Sequence, residues 1–207
     1  EPDIRSSDEA YAYLTALKEV IQFAGSSRCD MEKGEMRCDA NVSVRPDGQA
    51  EFGTRAEIKN LNSFKNVKDA IEYEFRRQVE LIESGGKVVQ ETRLWNVEKQ
   101  MTVSMRSKED AHDYRYFPDP DLVPLVADAR WVSELRASLP ELPSVKRARL
   151  IAAFGLSAYD AEVLTGDKAL VDFFEKAVAV APAGSAKTVA NLLTTEMLGR
   201  LNAEGMS

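Results

Sequence analysis

The sequence predicts an α+β fold: an antiparallel sheet with two long helices, followed by an all-helical domain. Three observations predict it. Apolar residues recur at helical spacing from Ala10 to Ile21 and again from Phe64 to Ile82. Between and after these stretches the period falls to two, over Met36 to Lys59 and past Val88. Past about Leu125 the composition turns to Ala and Leu and strand signals vanish.

Ser6-Ser7-Asp8-Glu9 has the S-x-x-E form of a capping box, after which Ala10, Leu14, Leu17 and Ile21 follow a helical stripe until Gly25 ends it. A short strand from Arg28 to Met31 and a longer one from Met36 to Arg45 flank Lys33-Gly34. Phe52 to Lys59 follows the turn Pro46-Asp47-Gly48, so three antiparallel strands are expected. Asn62 or Ser63 caps a long helix whose stripe is Phe64, Val67, Ile71, Phe75, Val79 and Ile82, closed by Gly85-Gly86. Val88 to Trp95 and Met101 to Arg106 read as a hairpin with Asn96 to Lys99 as its loop. The charged, proline-punctuated segment 107–121 is too polar for a core and too aromatic for a plain linker. Helices are expected near Trp131–Ser138, Ser144–Phe154, Ala158–Leu164, Asp167–Ala179 and Ser185–Asn202, separated by Pro140, Pro143, Gly155, Gly166 and Pro182. The expected division is therefore 1–125 for the sheet-bearing part and 126–207 for the helical one.

Composition narrows the function. With 44% hydrophobic residues, 207 residues can bury a sizeable core, and no apolar run approaches the roughly 18 residues of a membrane span. The net charge of −7 argues against a sequence-blind binder of duplex nucleic acid, which needs an excess of cations against phosphates. Two cysteines and one histidine are too few for a disulfide scaffold or a zinc cage, which points to a reducing cytoplasm. The opening Glu1-Pro2-Asp3-Ile4 has no initiator Met, so a fragment is expected.

The chemistry concentrates on one strand pair. In Met36 to Arg45 strict alternation puts Met36, Cys38, Ala40, Val42 and Val44 on one face and Arg37, Asp39, Asn41, Ser43 and Arg45 on the other. In Phe52 to Lys59 the same parity places Arg55, Glu57 and Lys59 opposite the core. Pairing across the Pro46-Asp47-Gly48 turn puts Asp39 across from Arg55 or Glu57, roughly 5 Å away for a direct pair and about 7–8 Å for a diagonal one. Two carboxylates flanked by cations suit a Mg²⁺–nucleotide site, with hard oxygens for the metal and positive charge for phosphate. The alternative is a solvated face of cross-strand ion pairs, each worth under about 1 kcal/mol.

The words RCDANVSVRPDG, FGTRAEIKNLNSF, ETRLWN and MRSKEDAHDYRYFPDPDLVPL, in that order, closely resemble the B-subunit family of bacterial-type tRNA-dependent amidotransferases, GatB. The likeness runs from Glu1 to about Leu125 and more loosely beyond, through PELP and LSAYDAEVLT. It implies that residues 1–125 are the C-terminal part of a catalytic cradle domain and that 126–207 begin a YqeY-like tRNA-binding tail. It also implies an activity within a GatCAB heterotrimer with subunits A and C. There, Mg·ATP phosphorylates the side-chain carboxylate of Glu-tRNA-Gln or Asp-tRNA-Asn, and ammonia tunnelled from the glutaminase subunit then displaces the phosphate. Phosphoryl transfer needs charge neutralisation and alignment more than a covalent catalyst.

By the same resemblance, Asp39 and Glu57 fall at acidic metal and phosphate-handling positions, as catalytic and metal-binding residues. Arg37, Asn41, Arg55 and Lys59 share their face and are assigned on that ground to nucleotide or acyl-phosphate contacts; Asn60 and Asn62 are candidates to position substrate, with Asn62 equally a helix cap. The family's N-terminal segment, with its Glu and His pair, has no counterpart here, so the fragment is expected to bind Mg·ATP poorly and to be inactive alone. The rival readings are a tRNA-binding or assembly module with a structural polar face, and a phosphotransferase unrelated to tRNA.

Other residues carry weaker expectations. His112 has no partner histidine and reads as a loop residue. Cys29 and Cys38 are expected to face each other as reduced thiols. Tyr114, Arg115, Tyr116 and Phe117 could stack on a base, line a passage from the glutaminase partner, or pack on the sheet. Lys146, Arg147 and Arg149 are a candidate phosphate contact or a solvated helix face, beside the aromatic pair Phe173-Phe174.

Overall fold

A computed structural model describes residues 3–105 and 119–205. His112, Tyr114, Arg115, Tyr116 and Phe117 lie outside the described residues. The chain divides into two compact units, Glu1–Ala16 with Cys29–Glu134, and Leu17–Arg28 with Leu135–Ser207.

The first unit is the sheet-bearing one, and its α+β class is the one the periodicity implies. Helix α1 (Ser7–Phe23) opens with the Ser6 hydroxyl accepting from the Glu9 amide at 3.1 Å, which confirms a capped start. Strands β1 (Cys38–Val42), β2 (Ala56–Leu61), β3 (Thr92–Asn96) and β4 (Met101–Ser104) form one sheet in the order β1-β2-β3-β4. The β1–β2 and β3–β4 pairs are antiparallel, and β2–β3 is parallel. The parallel step follows from helix α2 (Phe64–Glu83), which carries the chain back along the sheet between β2 and β3. Arg28 to Met31 forms no strand, because its residues enter the tight turns around Asp30 and Gly34.

Ser63 is the cap of α2: its side chain accepts from the Asn66 amide at 3.1 Å. The buried face of α2 is Val67, Ala70, Glu74 and Gln78, whereas Phe75 is 50% exposed and Ile82 42%. The apolar stripe therefore gives the inner face over the first half of the helix, through Phe64, Val67 and Ile71, and departs from it in the second, where Glu74 and Gln78 turn inward. Val67 and Ala70 pack with Leu14, Ala40, Val42, Ile58, Leu61 and Trp95 into the core of this unit. The Trp95 ring meets Tyr73 edge-on at 6.2 Å.

Glu74 and Gln78 are buried because they make a polar cluster with the sheet. The Glu74 carboxylate takes Arg77 at 2.6 Å, the Thr102 hydroxyl at 2.9 Å and the Gln78 amide at 2.9 Å, with the Arg93 guanidinium at 3.4 Å. Burial alone would push the Glu74 carboxyl up; the hydrogen bonds from Arg77, Gln78 and Thr102 outweigh it and hold the group below its ordinary range.

The second unit is helical, as the composition shift implies. It contains α4 (Pro143–Phe154), α5 (Ala158–Thr165), α6 (Lys168–Val180) and a last helix whose turns run α7 (Ala186–Asn191), a π-helical stretch Leu192–Met197, and α8 (Leu198–Ala203). α3 (Ala129–Ser138) straddles the division and buries no residue. Leu150, Leu164, Val171, Phe174 and Ala190 are wholly buried at the centre of the helical unit, with Phe23 from the end of α1. Phe174 is core and Phe173 is exposed. Gly155 ends α4 in the left-handed region, at φ 65°, a position that favours glycine.

Candidate functional site

Helix α2 covers one face of the sheet, which leaves the other to the polar alternation of β1 and β2. On β1 the buried residues are Ala40 and Val42, so Asp39 and Asn41 point away from the core. On β2 the buried residues are Ala56, Ile58 and Leu61, so Glu57 and Lys59 share the open face. Asp39, Asn41, Glu57 and Lys59 are thus neighbours. Arg37 and Arg55 are exposed, one residue before β1 and one before β2 respectively.

The register differs from the tight-turn expectation. Asn41 pairs with Glu57, Ala40 with Ile58 and Val42 with Ala56. Asp39 therefore falls within the slip, opposite the pair Lys59-Asn60, and neither Arg55 nor Glu57 is its direct partner; Glu57 is its diagonal neighbour. The reason is the connection. The strands stop at Val42 and resume at Ala56, and the Pro46-Asp47-Gly48 turn closes only the tip, through Gln49 N–H to the Pro46 carbonyl at 3.2 Å. Arg45 stacks on Phe52, 4.7 Å from the ring centroid, and its guanidinium donates to the Ala50 carbonyl. Toward the other end, the ladder slips between Cys38 and Ala40, where β2 carries an additional residue. Asn60 takes a positive φ of 66° there, and its side-chain amide donates to the Trp95 carbonyl at 3.0 Å.

Lys59 joins the two carboxylates. Its ammonium lies 3.0 Å from Glu57 Oε1 and 3.4 Å from Asp39 Oδ2, so those two oxygens are separated by no more than the sum of the contacts. The hydrogen bond to Glu57, with the Asp39 and Glu57 charges, raises the Lys59 ammonium above its ordinary value. The same Lys59 bond, aided by Thr92, holds the Glu57 carboxyl below the usual range.

Thr92 is the residue that sequence reasoning missed. It is the parallel partner of Glu57 on β3, and its hydroxyl donates to Glu57 Oε2 at 3.0 Å. Only the parallel register brings it there, and nothing in the sequence alone specifies which strand lies beside β2. Asn62 accepts from the Asn66 side chain, while capping falls to Ser63. Cys29 is buried and Cys38 half-buried, both as thiols.

Of the residues on this face, Asp39 and Glu57 carry the hard oxygens that a divalent cation takes. Asp39 and Glu57 offer carboxylate oxygens from adjacent rigid strands, and Mg²⁺ takes one or two carboxylates with water and phosphate oxygens completing its shell. Among the described residues no group of three or more His, Cys, Asp and Glu forms a cage of its own.

The basic cluster of the helical unit is consumed by ion pairs. Lys146 contacts Glu175 at 2.8 Å and Asp172 at 3.6 Å, Arg147 contacts Glu19 at 3.1 Å, and Arg149 contacts Glu141 at 2.7 Å and Glu175 at 2.5 Å. All three cations of that cluster are thus engaged by carboxylates. No helix among the described residues is long and apolar enough to cross a membrane.

The family model of the GatB/GatE catalytic domain matches residues 1–133. Over 204 residues the chain is 54% identical to the B subunit of the aspartyl/glutamyl-tRNA(Asn/Gln) amidotransferase of Carboxydothermus hydrogenoformans, covering 99% of this chain and 42% of that protein. The proteins of the same name from Burkholderia mallei and Burkholderia pseudomallei are 57% and 56% identical over 206 residues, again with 42% of their length covered. The chain thus spans less than half the length of these curated relatives.

Proposed function

The chain belongs to the GatB/GatE catalytic-domain family, and from that premise we propose that it is part of the B subunit of an aspartyl/glutamyl-tRNA amidotransferase working in the cytoplasm. The reaction is ATP-dependent: the side-chain carboxylate of Glu-tRNA-Gln or Asp-tRNA-Asn is phosphorylated, and ammonia supplied by a glutaminase subunit replaces the phosphate in a complex with subunits A and C. The observation that carries this reading is the open strand face on which Asp39 and Glu57 both reach one ammonium.

A carboxylate is a poor acyl donor because oxide is a poor leaving group, so activation must precede amide formation. Bound Mg²⁺ supplies charge neutralisation on the phosphoryl oxygens. Asp39 and Glu57 would hold that cation, Thr92 fixes the direction of Glu57, and Lys59, Arg37 and Arg55 would present positive charge to phosphate. Asn41, the direct strand partner of Glu57, offers an amide to the nucleotide or the activated acyl group. Mounting these groups on paired strands keeps them in place without rearrangement when charge develops.

The test uses the full-length protein in its complex. Asp39→Ala and Glu57→Ala are each expected to abolish ATP cleavage and amidation while glutamine hydrolysis and tRNA binding persist. Intact ATP cleavage would instead assign the polar face to scaffolding. Turnover of free glutamate in place of Glu-tRNA would contradict a tRNA-linked substrate. The 207-residue chain alone is expected to be inactive.

A further inference from the structure

Resting on that reading, we propose that Lys59 is an exchangeable internal cation: without metal its ammonium holds the place between Asp39 and Glu57, and when a divalent cation enters it swings out to the nucleotide phosphates.

The geometry singles out this lysine. Its ammonium is shared, at 3.0 Å and 3.4 Å, by the same two carboxylates that would ligate the metal. The two oxygens it touches are the ones a cation would use. Glu57 presents Oε1 to Lys59 because Oε2 is engaged by Thr92, so the carboxylate is already turned toward the gap. A divalent ion matches the two negative charges, whereas one ammonium leaves an excess of one. That difference favours exchange.

Release costs little. The Lys59 and Asp39 side chains are each 41% exposed and that of Glu57 35%, and ion pairs this wet are weak. The lysine stem is flexible and anchored on a strand, so the displaced ammonium stays above the same face, where phosphate oxygens on the metal would lie. Until then it spares the two carboxylates their mutual repulsion.

Lys59 therefore opposes metal binding in the absence of nucleotide and assists it in its presence. The experiment is a titration, with Mn²⁺ alone, of the full-length protein in its complex, reading free Mn²⁺ by electron paramagnetic resonance. Lys59→Met is expected to bind Mn²⁺ about tenfold tighter than the parent chain, Lys59→Gln to move in the same direction, and Lys59→Arg to stay near the parent value. Adding Asp39→Asn to Lys59→Met should erase the gain. A Met variant with the parent's Mn²⁺ affinity, undetectable binding by both included, overturns the exchange, as does a gain that survives Asp39→Asn. Neither outcome touches the amidotransferase reading, which stands or falls on ATP cleavage by the Asp39→Ala and Glu57→Ala complexes.

Discussion

The side-chain amide of Gln78 on α2 donates to the Val42 carbonyl at 3.0 Å, tying the helix to the end of the strand that carries Asp39 and Asn41. The second hydrogen bond of the same nitrogen goes to Glu74 at 2.9 Å, and among the described residues Gln78 Oε1 is the one buried side-chain oxygen or nitrogen with no partner. Gln78→Leu removes the donor and leaves the Val42 carbonyl without it, so a loss of about 1–3 kcal/mol is expected from urea unfolding. Gln78→Glu should cost more, because a second carboxylate then faces Glu74.

Glu74 is the centre of the buried polar cluster, and removing it takes the carboxylate from Arg77 and one partner from Arg93, which keeps Glu91 and Thr102. Glu74→Leu is expected to destabilise the sheet-bearing unit by about 3–5 kcal/mol, with Glu74→Gln in between. Unchanged unfolding midpoints would mean that the arginines find other partners.

The pH dependence follows from the same groups. Glu74, Glu91 and Glu57 all have carboxyls held below their ordinary range in the folded chain. Their contribution is therefore complete above the unfolded-state value of about 4.3 and is lost as pH falls through the depressed folded values. Stability measured by urea should be level from about pH 6 to 8 and drop below about pH 4. Stability that rises toward about pH 3 would contradict the ion-paired description.

Gly53 is hemmed in by backbone rather than by side chains. A Cβ there would lie 2.0 Å from the Val44 carbonyl oxygen. Gly53→Ala must push apart the two arms of the connection that sets the β1–β2 register, at about 1–3 kcal/mol, checked by thermal unfolding.

Two expectations concern the complex. Thr92→Val frees Glu57 Oε2 and should lower ATP cleavage several-fold while the urea midpoint moves little, because the hydroxyl orients a partly exposed carboxylate. In the helical unit, Lys146→Ala and Arg149→Ala should leave tRNA affinity and its salt dependence unchanged, since Lys146 is paired with Glu175 and Asp172 and Arg149 with Glu141 and Glu175.

Periodicity located nearly every helix, since caps such as Ser63 and stops such as Gly155 are local signals. Alternation also put Asp39, Asn41, Glu57 and Lys59 on one face correctly, because parity survives a register change by an even number. Register itself was not legible: it depends on how the 43–55 connection folds on itself, through Arg45, Phe52 and Gly53. The inner face of α2 escaped for a different reason. Glu74 and Gln78 read as solvent residues in any apolar pattern, and partners from the sheet, Thr102 and Arg93 for Glu74 and the Val42 carbonyl for Gln78, help to make their burial tolerable. Thr92 depended likewise on a parallel neighbour whose identity is a matter of topology.

The bulge at Asn60 has its own outcome. Ile58 and Leu61 both face inward although three positions separate them, which a regular strand forbids; the left-handed Asn60 absorbs the odd step. The strand thereby anchors the hydrophobic interior at both ends and still leaves Lys59 and Asn60 side by side outside it. Deleting Asn60 alone would therefore leave Leu61 facing inward, two positions from Ile58; what would vanish is the slip beside Asp39 and the polar side chain that reaches the Trp95 carbonyl.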